Sequence, residues 1–336
     1  MSMLTRVGND LYTGVRSFDF VGKRTLWYAI AAVVIVLAVA FTALRGGFVF
    51  GIEFRGGSEF RVTGSSAAIE GTAAATAIAV DAVDEIVPGS NPRVSIVGTD
   101  SVRVQTEQLT PDQTDEVRAA LGDAYGVTLA DVSSSFIGAT WGADITRQAL
   151  IAHVVFLTFA SIVMALYFRT WKMAVAAIAA LFHDLIITTG VYGVLGLEIT
   201  PAAVIGFLTI LGYSLYDTVV VFDKVRENTS EDGAESRRTF AQSVNLAVNQ
   251  TLVRSINTSV VAVLPTAAIL LIGSLLLGAG TLRDIALALF IGTLVGTYSS
   301  IFLAAPLYVH LRENEPEVKK QGARQKAARP ESGAVR

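Results

Sequence analysis

The sequence predicts a polytopic α-helical membrane protein with six transmembrane helices and one α+β domain inserted between the first two. Three observations carry this prediction. Only 16% of the 336 residues are charged and 52% are hydrophobic, whereas soluble domains are about 25% charged. Several apolar runs approach the roughly 20 residues that a helix needs to cross a bilayer. Basic residues fall on alternate connections between these runs, as expected when every second connection faces the cytoplasm.

The first span is predicted over residues 26–44, after a polar N-terminal segment, 1–25, that is rich in arginine and lysine. Basic residues beside a first span hold that end of the chain in the cytoplasm. The run shows no small-residue cleavage site, so we expect a retained anchor rather than a signal peptide.

Residues 45–147 differ from the rest of the chain because they are acidic and contain no lysine. Since they follow a span that begins inside, we expect them outside the cytoplasmic membrane. Alternating polar and apolar residues predict strands, and capped or alanine-rich stretches predict helices. The predicted elements are strands over 58–63, 93–97, 101–106 and 127–137 and helices over 67–87 and 110–124. This strand–helix–strand–strand–helix–strand order predicts a ferredoxin-like extracytoplasmic domain.

The second half of the chain contains five further apolar runs of spanning length. They are predicted as spans two to six over residues 148–168, 173–196, 199–222, 255–277 and 284–308. A polar, basic stretch over 223–254 predicts a cytoplasmic amphipathic segment between spans four and five, and a basic tail follows over 311–336. Both termini are therefore predicted to be cytoplasmic.

The composition excludes several kinds of site. The chain has no cysteine, which excludes disulfides, thiol catalysis and cysteine-ligated metals. Its net charge of −3 gives no indication of nucleic-acid binding. The inserted domain has no histidine, and its carboxylates fall on polar faces. We therefore expect no enzyme activity, no cofactor and no metal site.

Asp217 is an acid near the end of predicted span four. A carboxyl group in hydrocarbon costs about 2.5–3.5 kcal/mol on insertion scales, and less near the interface, so such residues usually have a function. Tyr213 and Ser214 precede it by four and three residues, on the same helix face, and are expected to support it by hydrogen bonds. The alternative is an interfacial acid that only helps to end the helix.

Arg254 lies at the predicted start of span five, with Ser255 beside it and Asn257 one turn deeper. Spans four and five run antiparallel, so Arg254 and Asp217 enter the membrane from the same side. The long arginine side chain brings an Asp217–Arg254 pair within reach. The alternative is a basic flank that extends to lipid headgroups.

His183 and Asp184 lie about a dozen residues into span three, near the bilayer midplane, where unpaired charge is most costly. An imidazole beside a carboxyl group suits proton handling, because histidine titrates near neutrality. Adjacent helical residues point about 100° apart, so the two side chains need not share a cavity. A structural hydrogen bond to a neighbouring helix is the alternative.

Gly292 and Gly296 form a GxxxG motif in span six. Small residues at this spacing allow two helices to approach closely. We expect this face of span six to pack against another span.

Three motifs carry a family resemblance. They are GIEFRGG at 51–57, GYSLYDTVVVFDKVREN at 212–228 and NQTLVRSINTS at 249–259. Together with six spans and a large first external domain, they resemble the SecF family of the resistance–nodulation–division superfamily. Asp217 and Arg254 match the charged positions that the family uses for proton coupling, whereas Tyr216 stands where the commoner motif has Asn.

The resemblance implies a subunit that pairs with SecD beside the SecYEG channel, together with a YajC-like subunit. Such a complex uses the proton-motive force to promote late steps of preprotein translocation. In the implied mechanism, protonation of Asp217 weakens its hold on Arg254, and the spans then rearrange and swing the external domain. Asp184 or a residue of the partner subunit is an expected earlier stop for an entering proton. The alternatives are SecD itself, whose external region is usually larger, and a half-size small-molecule or lipid exporter of the same superfamily.

Overall fold

The computed structural model describes residues 9–65, 71–231, 238–275 and 280–328. Among these residues, six helices are long and apolar enough to cross a membrane, and we call them spans one to six. Spans one to five are Arg24–Leu44, Ala139–Phe168, Trp171–Leu195, Pro201–Glu231 and Phe240–Leu275. Span six begins as Gly280–Ser299 and continues through a π-helical turn, Ser300–Ala304, into Ala305–Arg312.

The spans form an antiparallel bundle with two distinct ends. Spans one, three and five lead to the end where the inserted domain lies, which we call the domain end, and spans two, four and six lead back to the terminal end. Spans three, four and six are the most buried, whereas spans one, two and five are largely exposed. The polar interior described below lies among the buried spans.

The inserted domain and its flanking strands and helices are numbered in chain order. They are β1 (Val49–Phe50), α1 (Ile52–Arg55), β2 (Gly57–Thr63), α2 (Thr72–Asp84), β3 (Arg93–Val97), β4 (Ser101–Thr106), α3 (Pro111–Tyr125) and β5 (Val132–Ile137). Further along the chain come β6 (Glu198–Ile199), between spans three and four, and α4 (Pro316–Ala328), after span six. Strands β2 to β5 form one antiparallel sheet in the order β3–β4–β2–β5.

The core of the inserted domain follows from the alternation of its strands. Phe60 and Val62 of β2 and Val102 and Val104 of β4 are fully buried, together with Leu121 of α3. Successive strand residues point to opposite faces, so the residues between them, which include charged side chains, lie on the other face. The helices α2 and α3 therefore cover one face of the sheet and leave the other face polar.

Local signals set the ends of several domain elements. Thr110 accepts from the Gln113 backbone at 3.3 Å and its own N–H donates to Gln113 Oε1 at 3.0 Å, so the predicted capping box of α3 is confirmed. The last strand begins at Val132 rather than at 127, because a 3-10 turn over Leu129–Asp131 comes first. The predicted helix over 67–87 is described from Thr72 onward, and residues 66–70 lie outside the described residues.

The inserted domain is joined to the bundle at the domain end. Strand β1 pairs in parallel with β6, and Arg103 of β4 forms an ion pair with Glu198 of β6. A Cβ atom on Gly142 of span two would lie 2.5 Å from the carbonyl oxygen of Phe54. Only glycine permits this approach, so the start of span two is held against the chain that enters the domain.

The described residues of the predicted amphipathic segment, 223–254, are mostly helical and are continuous with spans four and five. In the described part of the chain, span four continues to Glu231 and span five begins at Phe240. Arg254 therefore lies about four turns inside its helix rather than at the helix start. The polar turns are used for packing: Asn249 Oδ1 accepts from the backbone N–H of Phe18 at 2.7 Å and so ties the N-terminal segment to span five. Basic residues indicate where the apolar run ends, and an α-helix can continue past that point.

Candidate functional site

Asp184 lies in the middle of span three and is fully buried. Its Oδ2 accepts hydrogen bonds from Ser299 Oγ of span six, at 2.8 Å, and from Ser214 Oγ of span four. Its Oδ1 lies 3.1 Å from Nδ1 of His183. Side chains of three spans thus enclose this carboxyl group.

The ring of His183 turns toward the next residue, Asp184, and is almost buried. Its other neighbour is the ring of Tyr298 on span six, with 6.0 Å between the ring centroids. The sequence left open whether His183 and Asp184 share one cavity. The structure places them in the same cluster, because the imidazole reaches across the angle between adjacent helical positions.

Asp217, on span four, is the second buried acid, with 3% of its surface exposed. Its Oδ1 accepts from Ser255 Oγ of span five at 2.8 Å, and its Oδ2 accepts from Ser300 Oγ of span six. The two acids thus have the same kind of surroundings: each is bound by serine hydroxyls from two neighbouring spans.

The sequence left open whether Asp217 and Arg254 pair directly, and in the structure their side chains have other partners. Arg254 is exposed, and its Nη2 donates to Tyr216 Oη at 3.4 Å. The next residue, Ser255, faces Asp217, and adjacent helical residues point about 100° apart, so Arg254 is directed away from the bundle. Asn257 is also exposed on this span. Depth along the helices allowed the pair, but rotation around them separates the two side chains.

Tyr213 and Ser214 do not bind Asp217, although both lie on its helix face. Ser214 donates to Asp184 instead, and Tyr213 Oη donates to Ser259 Oγ at 3.5 Å. Residues three and four positions earlier lie about 5 Å nearer the domain end. At that level span four faces Asp184, which is therefore the acid nearer the domain end.

The sequence interpretation missed Ser299 and Ser300, which are adjacent and fully buried on span six. Ser299 binds Asp184 and Ser300 binds Asp217, so one short stretch of span six connects both acids. The available signal was a pair of hydroxyls within an apolar run. It is a weak signal, since serine in a membrane helix commonly bonds its own backbone.

The two glycines of the GxxxG motif face span four. A Cβ atom on Gly292 would lie within 2.9 Å of Ile210 Cβ, and one on Gly296 would lie 3.1 Å from Ser214 Cβ. The Gly296 position would also bring a Cβ atom to 3.6 Å from Asp184 Oδ2. The absence of side chains at these two positions lets span six reach the acids.

Two further hydroxyls belong to the polar interior. The side-chain oxygens of Thr188, one turn beyond Asp184, and of Thr218, next to Asp217, are buried without a hydrogen-bond partner among the described residues. In the same described residues, no three His, Asp or Glu side chains converge as metal ligands do.

A second polar cluster lies where the inserted domain meets the bundle. Arg103 Nη2 and Glu198 Oε2 are 2.6 Å apart, and Asp284 of span six accepts from Thr200 Oγ1 at 2.7 Å. Burial raises the pKa of Glu53 above its usual range, and the Glu198 carboxylate raises it further. Glu53, Arg103 and Asp284 line a cavity of about 350 Å³. The domain thus contacts the bundle through charged groups, in addition to the apolar packing of Phe54 against the bundle.

Comparison with known proteins identifies the family. The family model for the protein export membrane protein SecD/SecF, C-terminal, matches residues 117–314. The chain is 46% identical over 314 residues to protein translocase subunit SecF of Mycobacterium leprae, a match that covers 90% of this chain and 66% of that protein. It is 41% identical to protein translocase subunit SecF of Streptomyces coelicolor, over 99% of this chain and 87% of that protein.

A solved structure is similar in fold. The crystal structure of SecDF, a translocon-associated membrane protein from Thermus thermophilus, matches with a TM-score of 0.77 and 29% identity, over 94% of this chain and 40% of that one. The family model covers more than half of the chain, although the chain spans only about two thirds of the mycobacterial relative. The chain therefore belongs to the SecF family of protein translocase subunits and is a multi-pass membrane protein.

Proposed function

We propose that this chain works with SecD as a proton-driven auxiliary of the Sec export machinery, promoting late steps of preprotein translocation across the cytoplasmic membrane. The observation that carries the proposal is the pair of buried acids, Asp184 and Asp217. In the part of the chain that the structure describes, hydroxyl groups bind both acids and neither acid pairs with lysine or arginine. Acids placed in this way inside a membrane bundle usually mark proton or ion pathways. The role is binding and coupling, without catalysis.

The proposed topology has both termini in the cytoplasm and the inserted domain outside as a ferredoxin-like domain. The charge asymmetry of the connections supports this orientation, since basic connections stay inside. The order β3–β4–β2–β5, with α2 and α3 as crossovers on one face, supports the domain assignment.

SecD is the proposed partner on the outer face of spans four and five. Arg254, Asn257 and Tyr216 are exposed there although they lie well inside long apolar helices. An arginine facing hydrocarbon costs about 2.5–3.5 kcal/mol, and a covering subunit removes much of that cost. The similar solved protein is a SecDF chain, of which this chain covers 40%. The SecYEG channel, a YajC-like subunit, the preprotein and membrane lipid complete the proposed contacts.

The proposed coupling begins at the acids. A proton entering from the domain end reaches Asp184 before Asp217, with His183 beside the first stop. Because each acid ties together three spans, adding or removing its proton changes the hydrogen bonds between spans. The β1–β6 pair and the Arg103–Glu198 ion pair connect those spans to the inserted domain. In this scheme Arg254 interacts with the partner subunit and not with Asp217.

Completion of translocation in inverted membrane vesicles tests the function. With the complete complex present, we expect a late-stalled preprotein to finish crossing faster when a proton gradient is imposed, and an uncoupler should remove the gain. Vesicles depleted of this chain should show no gain, because the protonatable path is missing. A gain that survives depletion, or depletion that alters only the efflux of a small hydrophobic dye, would favour the exporter alternative.

The contact between the domain and the bundle is tested by charge reversal. The chain lacks cysteine, so Asp112→Cys on α3 and Leu195→Cys on span three, both exposed, accept a spin-label pair uniquely. Glu198→Arg is expected to broaden the label-to-label distance distribution, since like charges placed in contact cost several kcal/mol.

The charge-swapped variant with both Glu198→Arg and Arg103→Glu should restore the narrow distribution, and Glu116→Arg, an exposed site on α3, should leave it unchanged. An equally narrow distribution in the single variant would show that the ion pair does not hold the domain.

A further inference from the structure

The serine pair of span six lies at a break in regular helix geometry. Ser299 ends the α-helical part of the span, and Ser300 opens the π-helical turn Ser300–Ala304. Single π turns are rare and frequently occur at functional sites. Adjacent residues point about 100° apart, so the two hydroxyls reach different spans, one to Asp184 and the other to Asp217.

Each of these hydroxyls has two acceptors within reach. Ser299 Oγ lies 2.8 Å from Asp184 Oδ2 and 3.2 Å from the carbonyl oxygen of Gly296. Ser300 Oγ is bonded to Asp217 Oδ2 and lies 3.2 Å from the carbonyl oxygen of Thr297. A hydroxyl has one proton and two lone pairs. It therefore donates to one of its two acceptors at a time, and while it donates to the backbone carbonyl its oxygen can accept from a protonated carboxyl group.

We infer that Ser299 and Ser300 are two-way positioning residues that satisfy the buried acids in both protonation states. When an acid is ionised, the serine O–H donates to its carboxylate. When the acid binds a proton, the carboxyl O–H donates to serine Oγ, and the serine O–H turns to the carbonyl of Gly296 or Thr297. The proton stays on the acid throughout, and no buried group loses its partner.

This inference rests on the proposed function, which it deepens by naming what makes the acids titratable inside the bundle. A buried polar group left without a partner is costly. Among the described residues, the other serines on these acids, Ser214 and Ser255, donate to the carboxyl group alone, so they have no second acceptor to turn to when the acid is protonated. If a serine only stabilised its own helix, a hydrogen bond to the backbone carbonyl would be enough, and it would not need to contact the acid.

Few other titratable groups face the serine pair. Span three contributes His183 beside Asp184, span four contributes Tyr213 beside Asp217, and span six contributes Tyr298 beside His183. Arg254 of span five points away. A displaced pH profile in the serine variants therefore reports mainly on the two acids.

The test uses the complete complex in vesicles, with the rate of gradient-driven export measured against pH at constant driving force. Ser299→Ala and Ser300→Ala should each displace the pH profile by about one unit toward higher pH, because the hydrogen bond to the ionised acid is stronger than the one to the neutral acid. Ser299→Thr and Ser300→Thr keep the hydroxyl and should keep the wild-type profile. Ser161→Ala is the matched control, because among the described residues this serine of span two bonds only the Leu157 carbonyl, at 2.7 Å.

Alanine variants that lower the rate at every pH without displacing the profile would overturn the inference, since a purely structural serine behaves in that way. If threonine does not fit, cysteine, a nearly isosteric but weaker donor, should give a smaller displacement of the same sign. An undisplaced cysteine profile then counts against the inference. The proposed function is judged separately by Asp217→Asn. If Asp217→Asn abolishes the gradient response while the alanine profiles stay in place, only the serine assignment fails.

Discussion

Asp217→Asn is expected to reduce gradient-driven export to the rate of wild-type complex treated with an uncoupler. Asparagine has nearly the same shape, and its amide oxygen can still accept from Ser255 or Ser300, which bind the acid in the native chain. It cannot bind or release a proton at this position, so the packing should persist while the coupling is lost. The measurement is completion of translocation in vesicles with and without an imposed gradient.

The matched control is Asp223→Asn on the same helix. Asp223 accepts from Tyr167 Oη at 2.9 Å on an exposed face, so its replacement should change the gradient response little. Purification of the variant with its partner subunits in normal yield would show that assembly is intact. A full gradient response in Asp217→Asn would remove this acid from the proposed path.

Gly292→Ile is expected to destabilise the bundle strongly. A Cβ atom at this position would lie within 2.9 Å of Ile210 Cβ, closer than real Cβ atoms approach, so span six must move away from span four. Overpacking of a well-filled interior costs about 1–3 kcal/mol or more, and close helix approach is what small residues provide in membranes. Thermal unfolding of the detergent-solubilised complex should show a Tm lower by several degrees.

Gly212→Ala provides the control for this prediction. Gly212 also lies within a span, but a Cβ atom there meets nothing within 4 Å. Alanine is a better helix former than glycine, so the Tm should stay the same or rise slightly. A Tm for Gly292→Ile equal to that of wild type would mean that the approach of spans four and six carries little of the stability.

The coarse architecture could be predicted from the sequence, because it depends on local properties of short stretches of the chain. Apolar run length and the position of basic residues indicate the spans, and alternation within short stretches indicates the strands. Helix ends are harder to predict where local signals conflict. The basic stretch over 223–254 suggested a break between membrane and cytoplasm, yet the helices on either side of residues 232–237, which lie outside the described residues, continue well into it.

Only part of the candidate site could be predicted from the sequence. The free-energy cost of placing an ionisable group in an apolar run indicated that Asp184, Asp217 and His183 have a function. Their partners were not predictable in the same way, because serine in a membrane helix is common and satisfies itself on its own backbone. Ser299 and Ser300 become informative only when spans three and four are placed on either side of them.

Three properties could be predicted from the amino-acid sequence alone: the chain crosses the membrane repeatedly, a mixed domain interrupts it after the first span, and two acids lie within the apolar helices. These properties are set residue by residue, by the free energy of transfer and by backbone periodicity. That Ser255, and not Arg254, faces Asp217 is a property of the packed bundle. Neighbouring residues of any α-helix point about 100° apart, and the packing of the helices fixes which of the two side chains faces the interior.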